Sequence, residues 1–375
     1  MSKNKSIKKT TCELISNYRI ELMGLAILWV FFYHSKIKLP DSVFSPLILL
    51  KKTGYGGVDI FLFLSGYGLM HGRIKKKLSL TTFYYRRFIR IIPTYWIFCT
   101  LLIVIDNVLL KNNFSLKECI YAYTTLNFWI GEATNDWYVP SLVAFYLFFP
   151  ITSNLYIKSN NKNIFVLTVI LFSLVICYLL THTRINHLLI FTVRIPVFVI
   201  GIHAAYQATL REKTSINTKK IFFSFLAVTI TTFILYFIFR NFGFRVRSMG
   251  GLQWYPFILG TFPLCLLISL SFSIVCKGIF NRIIQPARRF LFFCGTYSLE
   301  IYLIHMILYV QRVNLISFFK SLQISDDYRI LEYFLYLCIT LVLAPVLNKI
   351  SLQTRKVFFY LRHFFHILRK TYLRI

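Results

Sequence analysis

About ten apolar stretches of about 17 to 24 residues recur along the chain, at 20–36, 55–72, 91–110, 139–157, 164–181, 188–205, 221–239, 254–276, 291–311 and 330–348. Helices of that length match the ~30 Å of hydrocarbon in a bilayer. Backbone polar groups find no water there, so the stretches must satisfy their own hydrogen bonds as helices. The expected fold is an all-α, polytopic integral membrane helix bundle with about ten transmembrane helices. Composition agrees, because 57% hydrophobic and 18% aromatic residues leave only 15% charged, too few for a soluble domain of 375 residues. A shorter aromatic run at 119–130 predicts an interfacial helix or loop.

The net charge of +30, from 43 Lys and Arg against 13 Asp and Glu, would by itself suit nucleic acid. Its placement points elsewhere. With the N-terminus inside, residues 1–19, 73–90, 158–163, 206–220, 277–289 and 349–375 fall in the cytoplasm and hold 29 of the 43 basic residues. That is the positive-inside bias, and it puts both termini in the cytoplasm. The basic surface then meets the lipid bilayer, with no nucleic-acid partner implied. The C-terminal VFFYLRHFFHILRKTYLRI suits a helix lying on the cytoplasmic leaflet, dividing the chain into a transmembrane domain, 1–350, and an interfacial tail, 351–375. No small-residue cleavage site follows the basic and then apolar N-terminal region, so a retained first span is expected. Eight cysteines show no ligand spacing, and no metal site is expected.

Ionisable groups inside a bilayer cost at least a few kcal/mol unless they face a polar interior, which makes them the first places to look for function. Here they are His34, Asp59, Asp106, Arg194, Glu300 and His305. At a rise of about 1.5 Å per residue, His34 and His305 each lie about 21 Å from the inner edge, while Asp59 and Arg194 lie about 6 and 9 Å from the outer one. His34, Asp59, Arg194 and His305 thus share an outer layer. Brought together, they have the composition of an acid–base site with an oriented imidazole and an electrostatic stabiliser. The plainer alternative is that each satisfies a helix contact of its own. Asp106, near the end of its span, is expected to face water. Arg87 and Arg90, with Arg86 beside them, form an RxxR pair in YYRRFIRIIPTYW, where residues at i and i+3 share a helix face. Their planar donors suit phosphate, although arginines at a cytoplasmic helix start also serve as topology anchors. No Walker loop and no GxGxxG motif accompanies them.

In order along the chain, IELMGLAILWVFFYHS, GGVDIFLFLSGYGLM, YYRRFIRIIPTYW, WYVPSLVAFYLFFP, VRIPVFVIG and GTYSLEIYLIHMIL resemble the motifs of the acyltransferase-3 family of membrane acyltransferases, which includes bacterial enzymes that O-acetylate surface polysaccharides. The resemblance covers nearly the whole chain. It implies a multi-pass protein of the plasma membrane with no permanently bound cofactor. Acetyl-CoA or another acyl-CoA is the implied donor on the cytoplasmic side, and a hydroxyl of a cell-surface polysaccharide or lipid-linked glycan the acceptor. His34 matches the family histidine and would accept the hydroxyl proton. Asp59 would orient its ring, Arg194 or a backbone donor would steady the oxyanion, and His305 ends the last of the motifs. Arg86, Arg87 and Arg90 would hold the CoA phosphates, and Glu300 would pair with Arg87 or line the CoA path.

One position departs from the family pattern, which has Arg or Lys eleven residues before the histidine, where this chain has Met23. Arg19, one turn closer to the cytoplasm and about 40° away around the helix, is the candidate substitute. Glu21 keeps the family's acidic position just before Met23. Gly57, Ser65 and Gly66 are expected to permit close helix packing. Trp137, Tyr138 and Tyr146 are expected as anchors in the aromatic belt. The rival readings are a non-enzymatic transporter or flippase for a glycan or lipid, and an acyltransferase of the same chemistry with a lipid or small-molecule acceptor.

Overall fold

The computed structural model describes residues 11–35, 37, 45–76, 79–109, 114–131, 136–210, 218–242, 254–276, 281–308 and 328–372. The N-terminal residues 1–10, the side chain of Asp106 and the side chains from 357 onward, on which parts of the topology and tail readings rest, lie outside the described residues. All regular structure among the described residues is helical: α1 (Thr11–Asn17), α2 (Arg19–His34), α3 (Ser45–Lys52), α4 (Gly56–Lys76), α5 (Leu80–Leu109), α6 (Leu116–Tyr123) and α7 (Leu126–Ile130). There follow α8 (Tyr138–Lys158), α9 (Lys162–Thr181), a 3-10 turn (Asn186–Leu188) leading into α10 (Leu189–Thr192), α11 (Ile195–Leu210), α12 (Thr218–Phe242) and α13 (Pro256–Val275). The last three are α14 (Asn281–Thr296), α15 (Ser298–Leu308) and α16 (Tyr328–Tyr372).

Seven helical segments among the described residues are long and apolar enough to cross a membrane, and α14 with α15, broken at Tyr297, would make eight. Of the expected spans, 20–36 and 55–72 form α2 and α4, which do not pass on length and hydropathy alone. α2 has 16 residues, or about 24 Å. α4 carries Asp59, Arg73, Lys75 and Lys76. α4 is buried along most of its length and α2 along one face, and there a sequence answers to neighbouring helices and not to lipid. α9 and α12 are the reverse case, with Phe172, Tyr178, Phe223 and Phe233 all facing outward. The 119–130 run folds into α6 and α7, joined through Thr125 at φ 63°. Ser115 and Glu118 close a reciprocal capping box at the start of α6.

The chain forms two compact units, residues 1–77 with 141–298 and residues 78–140 with 299–375. In the first unit, helices meet backbone to backbone. Gly24 on α2 faces Gly295 on α14, and a Cβ on either would come within 1.9 Å or 1.8 Å of the opposite carbonyl oxygen, Leu291 or Ile20. Gly66 on α4 and Gly201 on α11 cross in the same way, each 2.2 Å from the carbonyl oxygen it would strike, Phe198 or Phe63. Apolar side chains gain little by leaving lipid for protein, so close packing through small residues supplies the adhesion.

The second unit relies on polar ties. Thr94 of α5 and Ser351 of α16 share a buried hydrogen bond of 2.7 Å. Arg355 adds Nη2 donors to the Arg90 carbonyl and the Thr94 hydroxyl, each at 3.3 Å. Trp96 Nε1 donates to the Tyr123 carbonyl at 3.0 Å, fastening α6 to α5. Tyr138 and Tyr146 are buried, contrary to the belt-anchor expectation. Tyr138 is covered by α15, its ring centroid 4.9 Å from that of Tyr302. α16 continues without a break through residue 350.

Candidate functional site

α2 ends on His34 because Ser35 turns to extended backbone at ψ 147°, its N–H returning to the Phe32 carbonyl. The imidazole therefore stands on the last turn, half-buried. Trp29 Nε1 donates to the Leu50 carbonyl at 2.6 Å, tying α2 to α3. The turn after α3 presses onto α2 so closely that a Cβ on Gly54 would lie 2.5 Å from the Trp29 carbonyl oxygen. That approach sets Tyr55 beside Tyr33, at 6.1 Å between centroids, and Tyr33 lies 5.1 Å from the His34 ring. On its other side Tyr55 packs edge-on against Phe257 at 5.3 Å and Trp254 at 6.4 Å.

Asp59 occupies the first turn of α4, where the positive end of the helix dipole favours a carboxylate. Arg194 lies in the break between α10 and α11, and its Nε approaches Asp59 Oδ1 at 3.2 Å. Its Nη1 donates to the Ile190 carbonyl at 2.8 Å, and its guanidinium carbon stands 5.3 Å from the Trp254 ring centre. Both side chains are sealed from solvent, at 1% and 2% exposure, where each charge depends on its counter-charge. Of the outer-layer candidates, the structure thus joins Asp59 to Arg194. Ring contacts through Trp254, Tyr55 and Tyr33 lead from that pair to His34. His305 belongs to the second unit.

Arg19 opens α2, and its guanidinium lies against α4 at Gly68, where a Cβ would come within 2.7 Å of Arg19 Cζ. Arg19 and Lys75 both act electrostatically on the His71 ring. Glu21 is fully buried and ion-paired to Arg288 Nε at 2.8 Å, with that guanidinium 5.4 Å from the Tyr18 ring centre. This acidic position locks α2 to α14, a role that nothing in the sequence signalled.

In the second unit, Arg86 and Arg90 are exposed near the start of α5, and half-buried Arg87 stands 5.8 Å from the Phe83 ring centre. Glu300 is buried and accepts from Asn348 Nδ2 at 2.7 Å, which replaces the expected pairing with Arg87. α16 approaches α15 at this point and offers an amide where the guanidinium was anticipated. Arg355, also on α16, is close enough to feel the Glu300 charge.

The sequence reading passed over Asp136. It sits just ahead of α8, buried, with Oδ1 accepting the Val139 N–H at 3.4 Å. Burial pushes its carboxyl up to about 6, against the hydrogen bonds from Val139, Tyr95 and Tyr302 that favour the charged form. Tyr302 in turn lies 5.4 Å from the ring of His305, which is 4% exposed. A lone acid directly before the WYVP segment was the only sequence signal for it. Among the described residues no group of three or more His, Cys, Asp or Glu is placed to hold a metal ion.

A family model described as an acyltransferase domain matches residues 18–349. No curated protein and no solved structure matches the chain. The match takes in every helix from α2 to the first half of α16, together with all nine residues singled out for the reaction. The chain, a helical multi-pass membrane protein, belongs to the acyltransferase-3 family of membrane acyltransferases.

Proposed function

We propose that the protein transfers an acetyl or similar small acyl group from cytoplasmic acyl-CoA to a hydroxyl of a cell-envelope glycan or its lipid-linked precursor, in a plasma membrane with both chain termini in the cytoplasm. The observation that carries this reading is the buried Asp59–Arg194 pair, linked by a run of ring contacts to a half-buried histidine at a helix end. Neutral His34 takes the proton of the acceptor hydroxyl while that oxygen attacks the thioester carbonyl. Negative charge builds on the carbonyl oxygen, where a backbone N–H steadies it in a water-poor setting, while Arg194 stays committed to Asp59 and the Ile190 carbonyl. Asp59 is paired with Arg194, so it holds that guanidinium in place and does not orient the His34 ring as expected. Collapse of the tetrahedral intermediate breaks the carbon–sulfur bond, and the CoA thiolate recovers the proton from His34.

His305 is the second catalytic imidazole. Arg86, Arg87 and Arg90 meet the phosphates of CoA, Arg19 takes the place of the basic residue that Met23 lacks, and Glu300 lines the donor path. In a two-step variant His34 itself carries the acyl group, and labelled protein then accumulates when acceptor is withheld.

Membranes carrying the protein, incubated with radiolabelled acetyl-CoA, test the scheme. Label in the glycan fraction is expected to vanish for His34→Ala and to fall for Arg90→Ala through a raised KM. Labelling equal to the unmodified protein in both variants overturns it.

A further inference from the structure

Outside the first unit's two ion pairs, one cluster of buried titratable groups draws on three separate segments. Asp136, ahead of α8, lies within hydrogen-bonding reach of the hydroxyls of Tyr95 from α5 and Tyr302 from α15. Cys99, one turn beyond Tyr95, lies close enough to respond to the Asp136 charge. Tyr302 is held on one side by the Tyr138 ring at 4.9 Å and meets the His305 ring at 5.4 Å on another. Tyr302 and His305 are three residues apart, so they share one face of α15.

A capping role alone does not account for an acid here. Asn or Ser would accept the Val139 N–H equally well without the cost of a buried charge. A carboxylate does what they cannot, drawing two phenol hydroxyls from different helices in charge-assisted bonds. A bond to its hydroxyl favours one tilt of the Tyr302 ring, and with it one placement of the His305 imidazole that lies against that ring. The upward displacement of the Asp136 carboxyl shows that the fold accepts a cost at this position.

We infer that Asp136 is a positioning residue for the reaction, setting the His305 imidazole through the hydroxyl and ring of Tyr302. The inference rests on the reading of His305 as a catalytic group. The groups that face Asp136 are Tyr95 and Cys99 of α5 and Tyr302 of α15, with Tyr138 and His305 behind Tyr302.

The test uses the full-length protein in membranes, with labelled acetyl-CoA and the endogenous glycan. Initial rates are compared for Asp136→Asn, Tyr302→Phe, His305→Ala and the Asp136→Asn/His305→Ala double variant. Melting temperature is followed on detergent-purified protein. Asp136→Asn keeps the acceptor for the Val139 N–H, so its melting temperature is expected not to fall, while kcat falls by up to about 100-fold, as a mispositioned catalytic group allows. KM for acetyl-CoA stays within about two-fold, since donor binding is untouched. Tyr302→Phe reproduces the loss, and the double variant is no slower than His305→Ala. A normal rate for Asp136→Asn beside an impaired His305→Ala overturns the positioning role alone, as does a loss that adds in full to that of His305→Ala. A normal rate for His305→Ala removes the catalytic reading and this inference with it.

Discussion

Asp59 and Asp136 are both buried carboxylates near the start of a helix, one in each compact unit, and they are held by opposite means. Asp59 is matched by a full positive charge, Arg194, at 3.2 Å. Asp136 is held by a backbone N–H and two phenol hydroxyls. A charge matched by a charge is a fixed fitting, since removing either member strands the other in a medium that cannot solvate it. A carboxylate held by neutral donors can take up or release a proton without breaking a pair. The first arrangement suits a permanent electrostatic wall, and the second suits adjustment of a neighbouring ring.

The largest effect should come from breaking the matched pair. Arg194→Ala leaves the Asp59 charge alone in the interior, and a loss of about 3 to 5 kcal/mol is expected, visible as poor accumulation of folded protein in membranes. Adding Asp59→Asn should restore much of the yield without restoring acyl transfer. If Arg194→Ala accumulates as well as Asp136→Asn does, the contrast between the two carboxylates is false.

A smaller effect, of predictable sign, separates them by pH. The folded carboxyl of Asp136 titrates at about 6, whereas an ordinary one titrates near ~4. The fold therefore holds that proton more tightly than the unfolded chain does. Stability from this group is full below the ordinary value and is lost as pH rises through the folded one. Asp136→Asn should melt above the unmodified protein at pH ~8, with the difference closing as pH falls through ~6 and below. A difference that widens on acidification would contradict the assignment. The smallest effect is Thr94→Ala in the second unit, which removes the bonds to Ser351 and Arg355 and should cost about 1 to 2 kcal/mol in a melting experiment.

Helical, membrane-spanning character was legible from the apolar stretches alone, because lipid imposes both length and composition on a helix that faces it. α2 and α4 blur that signal since they face protein, and Tyr297 interrupts the ninth stretch between α14 and α15. His34, Asp59 and Arg194 stood out because a charge in an apolar run is costly and needs a reason. Asp136 did not stand out, lying among polar neighbours where an acid costs nothing until the fold buries it. The Glu21–Arg288 pair was beyond reach for another reason, since its partners lie 267 residues apart and meet where α2 and α14 pack through Gly24 and Gly295.

The shortness of α2 also bears on the substrate. A helix of 16 residues reaches about 24 Å, some ~6 Å less than the hydrocarbon is thick. If it starts level with the inner leaflet's boundary, its final residue stops beneath the outer headgroups. For the glycan acceptor proposed above, a sugar in free solution would have to shed water to descend that far, whereas one carried on a lipid would already be moored at the right height.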